Sequence, residues 1–365
     1  MATQRNHLYA LGTLQLIAIV TIVMGHLWID NSTFMNSLCA SFCFTYSGYF
    51  TSRFHRFDKS YGLRDHGRFM WNKLAKFYPM HVLALLICII AFVFMKGHTI
   101  VALKTLFYHL TLLSPWINDP NIYFGYNAVA WWICVLFFLY LIAPLIINVL
   151  RLMRLRWQVV LMTILLTLEF IGGYRPDEQT PSLLLSYYDM YEFPPIRILD
   201  FATGIVLYNI TCHAWWQRLA NRLTPSLSTM IELGGIALFG LLFWIDKAFL
   251  NDHCFRAFCL QAPSIVVLLA TFVLTSNKPG RASDLLSIKP LAIMQQYTFE
   301  IYLLQVGIYF TMEPLCNALG IAGEQQPVLH FVFQNAMLLL AAWACHNFYV
   351  KPLTRLLTIG SHKRI

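Results

Sequence analysis

The sequence predicts an all-α polytopic membrane protein of about ten transmembrane helices with both termini in the cytoplasm. Three observations carry this expectation. The chain is 58% hydrophobic and only 12% charged, whereas soluble domains have roughly a quarter of their residues charged. Apolar runs of about 20 residues, enough to cross a ~30 Å hydrocarbon layer as helices, recur along its 365 residues. No stretch of domain size between them is polar enough to fold in water, so one integral membrane domain over residues 1–365 is expected, with no appended soluble domain.

The first run, residues 8–30, follows a start with Arg5 as its one fixed cation and lacks a small-residue cleavage site, so it should stay as a span and not leave as a signal peptide. The second, 33–53, is rich in small and hydroxylated residues, and the third, 74–95, follows a basic segment from Arg53 to Lys76. Spans near 127–150 and 157–174 flank Arg151, Arg154 and Arg156. The remaining spans are expected near 196–212, 227–246, 257–275, 290–312 and 328–350. The stretch 98–115, HTIVALKTLFYHLTLLSP, carries Lys104 and His109 and is barely long enough to cross. Charge decides its place. If it lies flat on the outer surface, 20 of the 26 Lys and Arg residues fall on the cytoplasmic side, as the positive-inside rule requires. A full crossing would send the Arg151–Arg156 cluster outside. The net charge of +9 then reflects topology and attraction to anionic membrane lipid, with nucleic acid excluded as a partner. The nine cysteines form no paired CxxC clusters, so no metal site is expected, and the spacing of Cys254 and Cys259 alone does not establish a disulfide.

One stretch places chemistry inside a span. LQLIAIVTIVMGHLWID, residues 14–30, brings His26 back to within about 20° of Gln15 around the helix, with the two roughly 16 Å apart along its axis. Asp30, four residues after His26, shares that face and could accept the Nδ1 proton, leaving Nε2 as a base toward a hydroxyl. A lone histidine at a helix end is usually a hydrogen-bonded structural residue. An ionisable group within the membrane is costly to keep without a use, which turns the reading toward function.

Six segments occur together in order: LQLIAIVTIVMGHL, FCFTYSGYFTSRF, NKLAKFYPMHVLALL, AWWICVLFFLYLIAPLI, PPIRILDFATGIVLY and YTFEIYLLQVGIYF. In this the chain resembles the transmembrane acyltransferase-3 family over nearly its whole length. The resemblance implies about ten helices and transfer of an acyl group, usually acetyl from acetyl-CoA or another acyl-CoA, to a hydroxyl of a cell-envelope glycan or lipid-linked saccharide. It also implies a multi-pass protein of the inner (plasma) membrane and makes His26 the family's essential histidine, with Asp30 beside it.

The chain departs from the family pattern at several positions. Gln15 stands where an arginine is common, Lys73 and Lys76 replace an RxxR pair, Leu136 stands where a glutamate is frequent, and Gln305 replaces a histidine. Lys73 and Lys76 keep two positive charges for the donor's phosphates but lose the bidentate geometry of arginine. Ser47 and Gly48 leave either close helix packing or room for a pantetheine arm. Arg197 and Asp200, three apart, form either an ion pair or a wall of the acceptor cleft. Gln15, Ser47, Lys73, Lys76, Arg197, Asp200 and Gln305 are accordingly expected to contact substrate. Glu169, Glu300, His81 and His346 are further intramembrane polar residues, with His346 read as structural. Two other readings stand beside the enzyme: a catalytically silent relative serving as a binding or assembly subunit, encouraged by Gln15 and Gln305, and a secondary transporter, disfavoured because no internal repeat is evident. The sequence names neither the acceptor nor the oligomeric state.

Overall fold

The computed structural model describes residues 2–27, 33–55, 57–58, 60–95, 102–175, 181–250 and 258–359, and no strand occurs among them. The helices are, in order, α1 (Ala2–Leu27), α2 (Thr33–Phe54), α3 (Leu63–Met95), α4 (Leu103–Leu110), α5 (Pro120–Tyr123), α6 (Trp131–Leu152), α7 (Leu155–Gly173), α8 (Tyr187–Tyr191) and α9 (Ile198–Thr211). They continue with α10 (Ala214–Arg222), α11 (Pro225–Ile245), α12 (Phe258–Thr275), α13 (Arg281–Leu286), α14 (Lys289–Met294), α15 (Thr298–Ala318), α16 (Pro327–Cys345) and α17 (Lys351–Leu357).

Among the described residues, six helical stretches are long and apolar enough to cross a membrane: Tyr9–His26, Leu63–Val93, Trp131–Leu152, Leu155–Gly173, Pro225–Phe249 and Pro327–Leu357. Two apolar stretches, Ile198–Thr211 and Gln261–Thr275, are shorter. The expected spans at 33–53 and 290–312 also coincide with long helices, α2 and α15, which their Ser, Thr, Asn, Gln and Glu residues make less apolar than those six stretches. Boundaries shift where hydropathy is blind. α3 starts eleven residues before the expected span, since a helix continues into water wherever its residues favour it; Asp65 accepts the Gly62 N–H at 3.1 Å at this start. The stretch expected to begin a span at 290 instead holds α14 and a 3₁₀ turn, Gln295–Tyr297, before α15. In the doubtful 98–115 stretch the described part forms α4, eight residues and so about 12 Å long.

The chain divides into two compact units. The first comprises the described residues within 1–25, 32–58 and 142–296. Its densest packing joins α2 to α9. A Cβ on Gly48 would overlap the Phe201 carbonyl, and one on Gly204 the Thr45 carbonyl, so glycine at both positions is what lets the two backbones touch. α12 packs on α11, α7 and α9. Glu232 of α11 accepts the backbone N–H groups of Gly280, Ala282 and Ser283 and the Ser283 hydroxyl, tying the start of α13 to α11.

The second unit comprises the described residues within 26–31, 59–141 and 297–365. α15 packs against both α3 and α16, and α17 returns along α3, where Trp71 Nε1 donates to the Leu357 carbonyl at 2.8 Å. Two buried histidines hold the α4–α5 excursion. His81 of α3 donates through Nε2 to the His109 carbonyl at 2.9 Å, and His109 donates through Nε2 to the Ile122 carbonyl at 2.8 Å. Burial pushes His109 down to about 4, so it stays neutral and can keep a bare Nδ1. These bonds give His81 a structural role.

Candidate active site

His26 ends the apolar part of α1 and is exposed, while Gln305, in the middle of α15, is fully buried. The two side chains meet, with His26 Nδ1 2.9 Å from Gln305 Oε1. The amide's other end fixes the proton positions. Gln305 Nε2 lies 2.8 Å from the Tyr302 carbonyl, and a carbonyl only accepts, so this end must be the NH₂. Oε1 therefore faces the imidazole as an acceptor, and Nδ1 must carry the hydrogen. The neutral ring is left with its lone pair on Nε2, which makes no hydrogen bond among the described residues. Tyr302 is itself buried and stacks edge-on with Trp132 at 5.3 Å, which stiffens the support.

The Nδ1–H of His26 is held by Gln305, 279 residues away. Asp30 lies outside the described residues. Gln305, expected as a substrate contact, has both polar ends engaged by the protein and acts here as the orienting group of the imidazole.

Lys73 and Lys76 lie one turn apart on α3. Lys73 Nζ sits 4.2 Å from the centre of the Tyr140 ring and 5.3 Å from that of Phe69, and Lys76 Nζ sits 5.1 Å from the Phe77 ring. Aromatic faces hold an ammonium in place without neutralising it. Among the described residues neither lysine makes a hydrogen bond or a contact ion pair.

The remaining expected residues belong to the first unit. Arg197, at the start of α9, and Asp200 form a 2.8 Å ion pair and are 0% and 1% exposed. The guanidinium also donates to the Tyr191 carbonyl through Nε and Nη2, at 2.9 and 2.7 Å, and to Ser41 Oγ at 3.1 Å. With these protein acceptors satisfied, the arginine braces α2, α8 and α9. Ser47 is buried and donates to its own helix at the Cys43 carbonyl, 2.8 Å away, so close packing describes it. Gln15 is half-buried on α1.

The structure also pairs two residues that the sequence left separate. His346 Nδ1 lies 2.8 Å from Glu300 Oε1, across 46 residues. The signal was present, because a carboxylate and an imidazole in apolar helices each need a partner, but nothing in the spacing joins them.

A family model described as an acyltransferase domain, that of the acyltransferase-3 family, matches residues 8–347. Acyltransferase MdmB of Streptomyces mycarofaciens is 26% identical over 159 residues, covering 41% of this chain and 41% of that protein. The chain therefore spans about two-fifths of the length of this curated relative. No solved structure matches the chain.

Proposed function

This chain belongs to the acyltransferase-3 family, whose domain accounts for residues 8–347, and on that premise we propose that it is a membrane O-acyltransferase. It moves an acyl group, acetyl in the simplest case, from acyl-CoA to a hydroxyl of an envelope glycan or lipid-linked saccharide. The observation that carries the reading is the chain of bonds from the Tyr302 carbonyl through Gln305 to His26, which leaves Nε2 bare. His26 Nε2 takes the proton of the acceptor hydroxyl as its oxygen attacks the acyl carbon. A transient acyl-imidazole at the same nitrogen is the variant. Incubating the purified protein with radiolabelled acetyl-CoA and a glycan mixture tests this. Label should move into a hydroxylamine-labile ester on the saccharide; label that stays on CoA with every acceptor would favour the non-catalytic subunit instead.

Gln305→Leu removes the acceptor that sets the tautomer. Losing one buried hydrogen bond to the reacting ring should lower the maximal rate by about 10- to 100-fold with little change in donor KM. Gln305→Glu, which keeps an acceptor at the same distance, should lose less. Steady-state kinetics on the two variants checks the ordering, and equal rates in both would remove Gln305 from the mechanism.

We place the donor's phosphates at Lys73 and Lys76. Replacing both with alanine should raise KM for acyl-CoA about tenfold, equivalent to roughly 1.4 kcal/mol, with a smaller change in kcat. Added salt should imitate the loss in the wild type. An unchanged KM would make the pair a topology signal only. The wider setting is an inner (plasma) membrane protein with ten crossings, cytoplasmic termini and the 98–115 stretch on the outer surface. The charge distribution, 20 of 26 cations on one side, supports that arrangement.

A further inference from the structure

A second acid–base pair lies in the same unit as His26, and nothing in the transfer described above uses it. His346 opens the π-helical turn His346–Val350 between α16 and α17. The extra residue in such a turn carries side chains to positions an α-helix does not reach, and these turns concentrate at functional sites. Here His346 meets α15, with Nδ1 2.8 Å from Glu300 Oε1. The carboxylate is 3% exposed and the imidazole 18%, so the pair is approached from the ring side. Glu300 Oε2 is buried without a hydrogen-bond partner. Toward an ionised Glu300 carboxylate, which only accepts, Nδ1 presents a hydrogen; Nε2 makes no hydrogen bond among the described residues. Tyr297 presents its ring edge-on to the imidazole at 5.2 Å. Lys76 of α3 and Cys345 beside His346 both lie within the field of the carboxylate.

We propose that the Glu300–His346 dyad is the acid of the transfer: His346 in its doubly protonated form, with Nδ1–H held by the Glu300 carboxylate, gives its Nε2 proton to the donor's sulfur as the carbon–sulfur bond breaks. The inference rests on the acyl-CoA reading, because Lys76, which shares its field with Glu300, is the cation assigned to the donor. The acceptor oxygen bonds to the acyl carbon, and its proton goes to His26 Nε2. The carbon–sulfur electron pair goes to sulfur, which takes a proton from His346. CoA leaves as the thiol, His346 remains as the neutral Nδ1–H form bonded to Glu300, and water re-protonates it while His26 returns its proton to water. One proton is taken and one given in each turnover. Without an acid, a thiolate would be expelled among apolar helices as an unpaired charge.

The test changes the leaving group and keeps the rest of the donor. Acetyl-seleno-CoA retains the phosphates and acyl group but releases a selenolate, the anion of a stronger acid, which departs without a proton. His346→Gln should slow transfer from acetyl-CoA by about 10²-fold and Glu300→Gln by about tenfold, with both within about threefold of wild type on the selenoester. Melting temperature and CoA binding are measured alongside. Glu300→Gln keeps size and an acceptor for Nδ1, so it carries the test if His346→Gln does not fold. Equal losses on the two donors overturn the proposal, as does an undiminished rate on the thioester. His26→Ala should lose transfer from both donors, so base and acid are judged separately. A wild-type protein that transfers from neither donor sinks the acyl-CoA reading and the acid with it.

Discussion

His26→Ala is expected to leave an inserted, folded protein whose acyl transfer is slower by about 10²- to 10⁴-fold, the range for loss of a general base. The loss should be greater if the ring carries the acyl group. Folding should survive because His26 is exposed and its removal takes away little packing. What remains behind is the Gln305 Oε1 acceptor, which loses its donor at an expense of about 1–3 kcal/mol at most. KM for the donor should stay near its wild-type value, since the ring makes no phosphate contact in this account. Transfer of labelled acetyl to saccharide, followed beside expression level and melting temperature, reads the effect.

Arg197→Ala should act on stability and not on chemistry. The guanidinium is enclosed, over the Phe44 ring at 5.3 Å and the Tyr191 ring at 5.5 Å, and joins Asp200, Ser41 and the Tyr191 carbonyl. Removing it leaves a buried carboxylate without its cation, for which about 3–5 kcal/mol is the expected loss. That is a large part of the 5–15 kcal/mol of a typical domain. Arg197→Ala with Asp200→Leu should recover part of the loss, because the double change removes the buried carboxylate as well. Melting temperatures in detergent should fall in the order wild type, double variant, single variant. A single variant as stable as wild type would show that Arg197 is no brace.

The fold was largely legible because membrane helices announce themselves in runs of apolar residues, as at Trp131–Leu152 and Leu155–Gly173. Hydropathy was silent where helices continue into charged sequence, as at the start of α3, and where apolar sequence breaks its helix, as between Lys289 and Tyr297. Local spacing foretold the Arg197–Asp200 pair, since residues three apart near a helix start share a face. Long-range partners followed no such rule. Spacing offered Asp30, four residues from His26 and outside the described residues, but could not offer Gln305, which meets His26 through the packing of the second unit. The Glu300–His346 pair was hidden for the same reason, and also because a π-helical turn sets the direction of His346.

The account depends most on which nitrogen of His26 is bare. Nitrogen-15 chemical shifts of the imidazole ring, recorded on the histidine-labelled protein in nanodiscs and assigned by difference from His26→Gln, report this directly. Near neutral pH the account predicts a protonated Nδ1 and an unprotonated Nε2 in the wild type, with that preference weakened in Gln305→Leu. A wild-type ring protonated on Nε2 with a bare Nδ1 would contradict it, since the lone pair would then face Gln305 and could not take a proton from the acceptor.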